Sequence, residues 1–373
     1  MKVGIFTRKI DGVMGGMEKQ ILLIASRLIE AGHEVTVVSL DSRAPETFFA
    51  RNSKIKFINV PGSNSDFKAP IRDKVVRQIR IFRVIRESQF DVVMSFSTGS
   101  LWYSVVPAKL NRAKVVLCER TGPSVYVLTR AKKYRRLIFL GMKLCDAIVV
   151  QMPTYIKSYP RFLRNKMHVI SNEVPTYENL ENFRHKAKVL TFGFVGRLCH
   201  QKQSLQLVQA FLAFNLRFEN SQLKLIGNGE QKGAISDLVD YHKAHDVIKL
   251  FESIPDIVPL MKDVDVLIHP SLWEGFPNGV AEALAMGIPV AGFDDCEGLR
   301  DLVSNGDNGW LITRQSEVDS IIELLLLVQS DRAKFELMGE IARQSVQKYT
   351  RELAIQNWQL LLRTLSNSRP KPT

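Results

Sequence analysis

Short apolar runs alternate with amphipathic stretches from one end of the chain to the other. The runs are rich in Val, Ile and Phe, which is typical of parallel strands covered on both faces. In the first half they are Val3–Phe6, Val35–Leu40, Ile55–Val60, Val92–Phe96, Val115–Cys118, Ile148–Gln151 and Val169–Ser171. In the second half they are Leu190–Val195, Leu223–Ile226, Ile248–Phe251, Val266–Ser271 and Pro289–Phe293. Helical stretches separate them, among them Leu205–Phe214, Ile257–Val264 and Val280–Met286. The alternation predicts two doubly wound α/β units.

A polar stretch without strong periodicity, Asn172–Lys188, interrupts this alternation. It predicts an N-terminal domain at 1–175 and a C-terminal domain at 176–350. The remaining segment, 351–373, is expected to form a closing helix, Arg351–Leu365, and a frayed tail, with the helix packing back on the N-terminal domain. Two such units would leave a cleft between the carboxyl ends of their strands, where α/β folds bind ligands.

Length and composition indicate an ordinary globular protein. The chain has 373 residues, of which 45% are hydrophobic and 24% charged, and this suits two domains of usual size. Its longest apolar runs are too short to span a bilayer, and the N-terminal strand lacks the features of a signal peptide. Four cysteines without paired or metal-ligand spacing favour a reduced, cytosolic setting.

The net charge of +13 is concentrated in the first half. Residues 1–175 hold 30 Lys and Arg against 13 Asp and Glu, and the remainder holds 21 against 25. Basic residues recur from Arg72 to Arg86 between apolar ones, which predicts an amphipathic basic helix, and cluster again from Arg130 to Arg136. Such helices favour anionic lipid surfaces, although an ordinary packed surface helix is an equal alternative. No motif supports binding to nucleic acid.

Two carboxylates flank a predicted helix start in Glu274-Gly-Phe-Pro-Asn-Gly-Val-Ala-Glu282. Asn278 is expected to be the N-cap, so that Gly279 and Val280 would carry unpaired backbone N–H groups able to hold a phosphate. The carboxylates could bind the hydroxyls of a sugar and of a ribose. A solvated loop Glu and a solvated helix Glu are the alternative for such a pair on its own.

Three glycine-containing turns follow predicted strands. Gly196-Arg197 and Lys202 follow the first strand of the second domain, where paired cations would suit a diphosphate. Gly227-Asn228-Gly229 follows the next strand, and Gly15-Gly16 precedes the first helix of the chain. Glycine there allows close backbone approach to an anion. Ordinary surface turns remain the alternative for each turn taken alone.

Together these segments resemble the retaining, family 4 glycosyltransferases, which have the GT-B fold. The resemblance covers nearly the whole chain and is most specific around Asp265-Val-Leu-Ile-His-Pro-Ser-Leu-Trp-Glu-Gly-Phe-Pro-Asn278. It implies two Rossmann-like domains facing across a cleft, an acceptor-binding domain at 1–175 and a donor-binding domain at 176–350.

The resemblance also implies residue roles. Arg197 and Lys202 would hold the donor diphosphate, and Glu274 the hydroxyls of the transferred sugar. Glu282 would bind the ribose. Further donor contacts would come from Gly15, Gly16, Gly196, Gly227 and the backbone of Asn278, Gly279 and Val280.

No cofactor and no divalent metal are expected, because the two cations can stabilise the leaving phosphate. Asp263-Val-Asp265 spells a metal-binding motif of another glycosyltransferase fold, but its place at a strand entry predicts a structural role. Many family members carry a histidine after the strand corresponding to Val115–Cys118, where this chain has Glu119-Arg120. Either residue could contact the acceptor side of the cleft. His269, within a predicted strand, is given no catalytic role.

The resemblance therefore predicts a hexosyl transfer from a nucleotide sugar, expected to be UDP-linked, to a lipid-linked or oligosaccharide acceptor. The setting would be bacterial exopolysaccharide, O-antigen or capsule biosynthesis, with the enzyme cytoplasmic and peripheral on the inner face of the membrane. A GT-B epimerase or phosphorylase, or a non-catalytic relative that binds carbohydrate or membrane, is the alternative.

Overall fold

The computed structural model describes residues 1–10, 15–40, 52–60, 71–177 and 189–367. The chain divides into two compact units, the first of Met1–Asn172 and Arg351–Thr373 and the second of Glu173–Thr350. Most of the predicted linker, residues 178–188, and the predicted tail, residues 369–373, lie outside the described part.

The first unit alternates strands and helices. Its strands are β1 Lys2–Thr7, β2 Glu34–Ser39, β3 Lys56–Asn59, β4 Val92–Phe96, β5 Lys114–Cys118, β6 Ala147–Val150 and β7 Met167–Val169. Its helices up to Asn172 are α1 Gly16–Glu30, α2 Ile71–Ser88, α3 Thr98–Leu110, α4 Val125–Leu128, α5 Ala131–Lys143, α6 Tyr155–Ser158 and α7 Arg161–Arg164.

These strands form one parallel sheet in the order β3-β2-β1-β4-β5-β6-β7. Val3 of β1 pairs with Val35 of β2 on one side and with Val92 of β4 on the other, and all three side chains are buried. Strands buried on both faces need continuous apolar runs, which is why the pattern of the sequence is so clear here.

The second unit repeats the design. Its strands are β8 Leu190–Val195, β9 Ser221–Ile226, β10 Ile248–Phe251, β11 Val266–His269, β12 Val290–Phe293 and β13 Gly309–Ile312. Its α-helices are α8 Ser204–Asn215, α9 Lys232–Tyr241, α10 Val258–Met261, α11 Asn278–Ala285, α12 Glu297–Arg300, α13 Asp319–Ser330 and α14 Phe335–Val346. In the described part of this unit, 3₁₀ turns lie at His200–Lys202 and Arg332–Lys334.

This sheet is also parallel, in the order β10-β9-β8-β11-β12-β13. The strand order reverses between β8 and β11, and doubly wound sheets bind ligands beyond the carboxyl ends of the strands at such a point. The core beneath is apolar and includes a group of rings, Phe192, Phe211 and Phe214. The prediction of two doubly wound parallel units is confirmed.

The last helix, α15 Arg351–Asn367, belongs to the first unit. Trp358, Leu361, Leu362 and Leu365 are buried in the same hydrophobic cluster as β1 and α1. At its start, Arg351 Nη2 donates to Glu30 Oε2 at 2.9 Å. The chain thus returns to the first unit after completing the second.

Several predicted boundaries were wrong by a few residues. The stretch Ile257–Val264 forms only the short helix α10, because Asp265 N donates to Thr191 O (2.9 Å) and takes the chain into the sheet. Strand β11 ends at His269 instead of Ser271, and β13 was not predicted. Over the described ranges, the structure contains no helix with the length and apolar character needed to cross a bilayer.

Candidate active site

The loop between β11 and α11 is held by hydrogen bonds from two side chains, Arg314 and Gln201. Arg314 Nη2 donates to Pro270 O (3.1 Å) and Ser271 O (2.9 Å), and its guanidinium lies over the ring of Phe293. On the other side, Gln201 Nε2 donates to the carbonyl of Trp273 at 2.8 Å. These contacts hold the loop that follows β11 against the turn that follows β8.

Lys202 and Glu274 meet at this junction. Lys202 comes from the 3₁₀ turn after β8, and its Nζ donates to Glu274 Oε1 in an ion pair. Only 14% of the Lys202 side chain and 9% of the Glu274 side chain are exposed. The structure therefore brings together two residues that lie 72 positions apart, at the switch point of the sheet.

His269 completes this cluster. It is the last residue of β11, it is buried, and its Nε2 lies 3.2 Å from Glu274 Oε1. Burial and the charge of Lys202 lower the pKa of His269 and outweigh the opposing effect of Glu274, so the ring is neutral. A neutral ring facing a carboxylate carries its proton on Nε2. Within the described ranges, Nδ1 has no hydrogen-bond partner.

The pKa of Glu274 is held well below its ordinary value. Burial alone would raise it, but the positive charge of Lys202 and the hydrogen bond from His269 outweigh that effect. Glu274 is therefore an ionised, acceptor-only group, suited to hold hydroxyls. We refer to Lys202, His269 and Glu274 as the Lys–His–Glu cluster.

Helix α11 begins after this loop, with Pro277 in the N-cap position. The prediction of Asn278 as N-cap was wrong by one residue, because Asn278 is already helical. The N–H groups of Val280 and Ala281 donate to Pro277 O at 3.0 and 3.1 Å. A phosphate at this helix start would compete with Pro277 for the N–H of Val280.

Glycines at this edge are explained by close packing. A Cβ on Gly227 would lie 1.9 Å from Gly196 O, and a Cβ on Gly279 would lie 3.2 Å from Val195 O. Glycine therefore lets the turns after β8 and β9 touch and lets α11 approach β8. The sequence analysis predicted close approach of a ligand to this backbone, with ordinary turns as the alternative, and did not predict the contact between the two turns.

Arg197 and Glu282, two other predicted donor residues, differ in their exposure to solvent. Arg197 is exposed, and over the described ranges the structure records no hydrogen bond or ion pair for its side chain. Glu282 is partly buried in α11, close enough to Tyr177 to raise the pKa of that phenol after the larger effect of burial.

The Asp-x-Asp segment has structural partners. Asp263 pairs with Lys224 Nζ at 2.6 Å, and Asp265 Oδ2 accepts the N–H of Thr191 at 2.8 Å. These contacts tie the entry of β11 to β9 and to β8. Among the described residues, no group of three His, Cys, Asp or Glu side chains is arranged to hold a metal ion.

In the first unit, Gly15 is the N-cap residue of α1 and Gly16 its first residue. Glu119 and Arg120 follow β5, where the predicted acceptor contact falls. Glu119 is buried, and its carboxylate accepts hydrogen bonds from Tyr126 Oη and Thr121 Oγ1. Arg120 instead donates Nη1 to Asn172 Oδ1 at 3.0 Å.

Sequence reasoning missed His269 and Arg314. The signal for His269 was its place five residues before Glu274, at the carboxyl end of the strand that leads to it. Arg314 carries no local signal, because it follows β13, which the sequence pattern did not reveal.

The fold is similar to that of known glycosyltransferases. HepE from Anabaena, solved in complex with UDP and glucose, aligns over 98% of this chain and 99% of its own, with a TM-score of 0.75 and 17% identity. This likeness shows the GT-B fold.

Two family models then divide the chain between them. The model described as Glycosyltransferase Family 4 matches residues 14–178, and the model described as Glycosyl transferases group 1 matches residues 177–345. The chain is a GT-B glycosyltransferase of the family 4 type. The Lys–His–Glu cluster lies in the part of this glycosyltransferase matched by the second model.

Two relatives align with this chain over almost its full length. A protein named uncharacterized glycosyltransferase from Haemophilus influenzae is 23% identical over 97% of this chain and 99% of its own. An α-1,4-N-acetylgalactosaminyltransferase from Campylobacter jejuni, named for an undecaprenol-diphosphate-linked glycan, is 22% identical over 99% of this chain and 100% of its own.

Proposed function

We propose that this glycosyltransferase moves a hexose from a UDP-linked donor to a lipid-linked glycan in bacterial surface-polysaccharide biosynthesis, with retention of configuration. The observation that carries the proposal is the buried Lys–His–Glu cluster at the switch point of the second sheet. The named substrate of the Campylobacter relative and the UDP bound to HepE support the substrate classes.

In this proposal Lys202 and Arg197 bind the donor diphosphate, and Glu274 binds the hydroxyls of the hexose. Lys202 exchanges the carboxylate of Glu274 for a phosphate oxygen when the donor binds. Glu274 is then released from its cation and accepts hydrogen bonds from the sugar, while His269 keeps it in place. Glu282 takes the ribose hydroxyls.

Further donor contacts are proposed from the glycine turns and the start of α11. Their members are Gly15, Gly16, Gly196, Gly227 and the backbone of Asn278, Gly279 and Val280. Glycine has no Cβ, so the backbone N–H groups of these turns can come close to an anion.

The bond between the sugar C1 and the phosphate oxygen breaks, and its electron pair leaves with the β-phosphate. The acceptor hydroxyl attacks C1 on the face that the phosphate leaves, and a departing phosphate oxygen takes its proton. Lys202 and Arg197 stabilise the charge that develops on the phosphate, so the proposal needs no divalent metal.

The test is a screen of nucleotide sugars by saturation-transfer NMR, followed by transfer to a short-chain polyprenyl-diphosphate sugar. We expect one UDP-sugar to bind and its hexose to appear in the product with the donor's anomeric configuration, also with excess chelator. A product with the inverted anomeric configuration would refute the retaining mechanism. Complete loss of transfer in the presence of chelator would refute metal independence.

Membrane association is the second part of the proposal. Helix α2 exposes the apolar side chains of Val75, Val76 and Ile79, but α3, α4 and α5 together expose more of them. In α2, Arg77 is buried against Tyr103, so the expected basic face loses one of its central cations. On α3, α4 and α5, large apolar side chains are 39–69% exposed, namely Trp102, Val106, Leu110, Val127, Leu128, Tyr134, Leu137 and Leu140. We call this group the α5 surface.

Cations border the α5 surface. Arg130, Lys132, Lys133, Arg135 and Arg136 are all exposed. Exposed apolar side chains bordered by cations suit an anionic bilayer, into which the apolar groups insert while the cations meet lipid phosphates.

Sedimentation with phosphatidylglycerol vesicles tests this surface. Leu137→Glu with Leu140→Glu should abolish co-sedimentation, whereas Leu216→Glu should leave it unchanged, because Leu216 is 84% exposed but lies in the second unit. Equal binding by both variants would disprove the assignment.

A further inference from the structure

Arg120 occupies the carboxyl edge of the first sheet. It follows β5 directly, and its guanidinium lies over the ring of Phe96, the last residue of β4, at 4.8 Å. Nη1 donates to Asn172 Oδ1, which also accepts Gln151 Nε2 at 3.1 Å. Side chains from four neighbouring strand ends thus meet around one cation.

Most of the hydrogen-bonding capacity of this cation is unused. Nε and Nη2 of Arg120 are buried and have no hydrogen-bond partner in the part of the chain that the structure describes. Oε1 of Gln151 is likewise buried and has no hydrogen-bond partner among the described residues. Two unsatisfied donors and one unsatisfied acceptor therefore lie on side chains joined through Asn172.

The immediate neighbours of Arg120 supply no strong acceptor for these two donors. The carboxylate of Glu119 is already bound by Tyr126, by Thr121 and by the backbone N–H of Arg120. The thiol of Cys118 interacts with the guanidinium electrostatically and as a hydrogen-bonding neighbour. However, burial raises the pKa of that thiol to about 12, and a neutral thiol is a weak acceptor.

Buried donor atoms of a guanidinium that lack hydrogen-bond partners are costly, and such groups in native structures call for an explanation. The planar fork of Arg matches two oxygens of a phosphate. An amide oxygen such as Gln151 Oε1 can accept a hydroxyl at the same time. The site also lies where parallel sheets bind ligands.

We propose that Arg120 and Gln151 form an oxyanion subsite that binds the phosphate of a glycosyl phosphate, with Gln151 accepting a sugar hydroxyl. The inference deepens the proposed function and rests on it for the identity of the sugar phosphate. The phosphate belongs either to the donor or to the lipid-linked acceptor. Glu119 is then a positioning residue that shapes the turn.

The test uses the full chain labelled with ¹⁵N at the arginine Nε, and Arg120→Lys assigns the resonance of Arg120. The probes are inorganic phosphate, UDP-glucose and geranyl-diphosphate-linked N-acetylglucosamine. We expect the Arg120 resonance to shift with phosphate. A shift with only one of the sugar probes identifies the source.

Affinity provides the second arm. Phosphate binding should weaken about tenfold or more in Arg120→Met, the usual cost of losing a hydrogen bond to a charged group. Gln151→Glu should weaken it too, because a carboxylate would compete for the guanidinium. Arg161→Met is the matched control, since Arg161 is exposed on α7 in the same unit.

Thermal unfolding separates binding from a structural role. If Arg120 serves to bind an anion, Arg120→Met should melt at the same temperature as wild type or higher. If Arg120 stabilises the fold, Arg120→Met should melt at a lower temperature. An unchanged Nε resonance with all three probes would overturn the subsite, whatever the transfer assays show. A shifted resonance without any transfer would retain the subsite and refute the proposed function.

Discussion

His269 Nε2 lies 3.2 Å from Glu274 Oε1, and the two side chains are buried together at the end of β11. Lys202 donates to the same oxygen. In the proposed function Lys202 moves to the donor phosphate, whereas the neutral ring of His269 stays with Glu274. We therefore expect His269 to act as a positioning residue for Glu274.

Replacing His269 should separate sugar recognition from nucleotide recognition. We expect His269→Phe to weaken binding of the UDP-sugar about tenfold, the cost of about 1.4 kcal/mol for one lost charged hydrogen bond. Binding of UDP should change little, because UDP has no hexose for Glu274 to hold.

Isothermal titration calorimetry with both ligands measures this difference. His245→Phe is the control, because His245 is an exposed histidine of the same unit. Equal losses for UDP and UDP-sugar would show that His269 only maintains the structure.

The contributions of Lys202 and Glu274 to the free energy of unfolding should depend strongly on each other. Lys202→Met leaves the buried carboxylate of Glu274 without its cation, and Glu274→Gln leaves Lys202 without its carboxylate, so each single change should destabilise the protein by about 3 kcal/mol. The double variant should cost less than the sum, because it leaves neither charge unpaired. Urea unfolding of all four proteins measures the coupling, and additive losses would contradict the pairing.

Acid should destabilise the cluster in two steps. The pKa of His269 is lowered from 6.5 by burial, so the unfolded chain binds a proton before the native chain does, and stability falls as the pH drops below 6.5. The pKa of Glu274 is depressed from 4.5, so its contribution is complete above that value and is lost as the pH falls through the lower native pKa.

The free energy of unfolding, measured against pH, tests both steps. Between the two pKa values of His269, wild type should lose up to about 1.4 kcal/mol per pH unit more than His269→Asn. At lower pH, the free energy of unfolding should fall less steeply in Glu274→Gln than in wild type. Parallel curves for all three proteins would refute the assigned protonation states.

Gly227 should tolerate no side chain. Gly227→Ala would place a Cβ 1.9 Å from Gly196 O, and we expect a loss of about 3 kcal/mol or more because backbone must move. Gly233→Ala is the control, since nothing lies within 4 Å of a Cβ there and Ala favours helix α9. Similar melting temperatures for both variants would contradict the close approach of the two turns.

The sequence predicted the fold well because both sheets are parallel and buried, so their strands are nearly continuous apolar runs. It missed β13, whose run Gly309–Ile312 is short and begins with glycine. Only the resemblance to a known family predicted that Lys202 and Glu274 share one site, since no local pattern links residues that follow separate strands. It could not predict the role of His269, because alternation along a strand does not show what a buried polar residue faces.

The central claim is that Lys202 and Glu274 act on a nucleotide sugar. The most direct measurement is the initial rate of hexose transfer from the UDP-sugar found in the screen to the polyprenyl-diphosphate acceptor. Lys202→Ala and Glu274→Ala should each lower the rate by about 10²–10³, the usual loss when one group that stabilises the transition state is removed. Leu216→Glu should retain the wild-type rate. Transfer at near wild-type rates by both alanine variants would contradict the account.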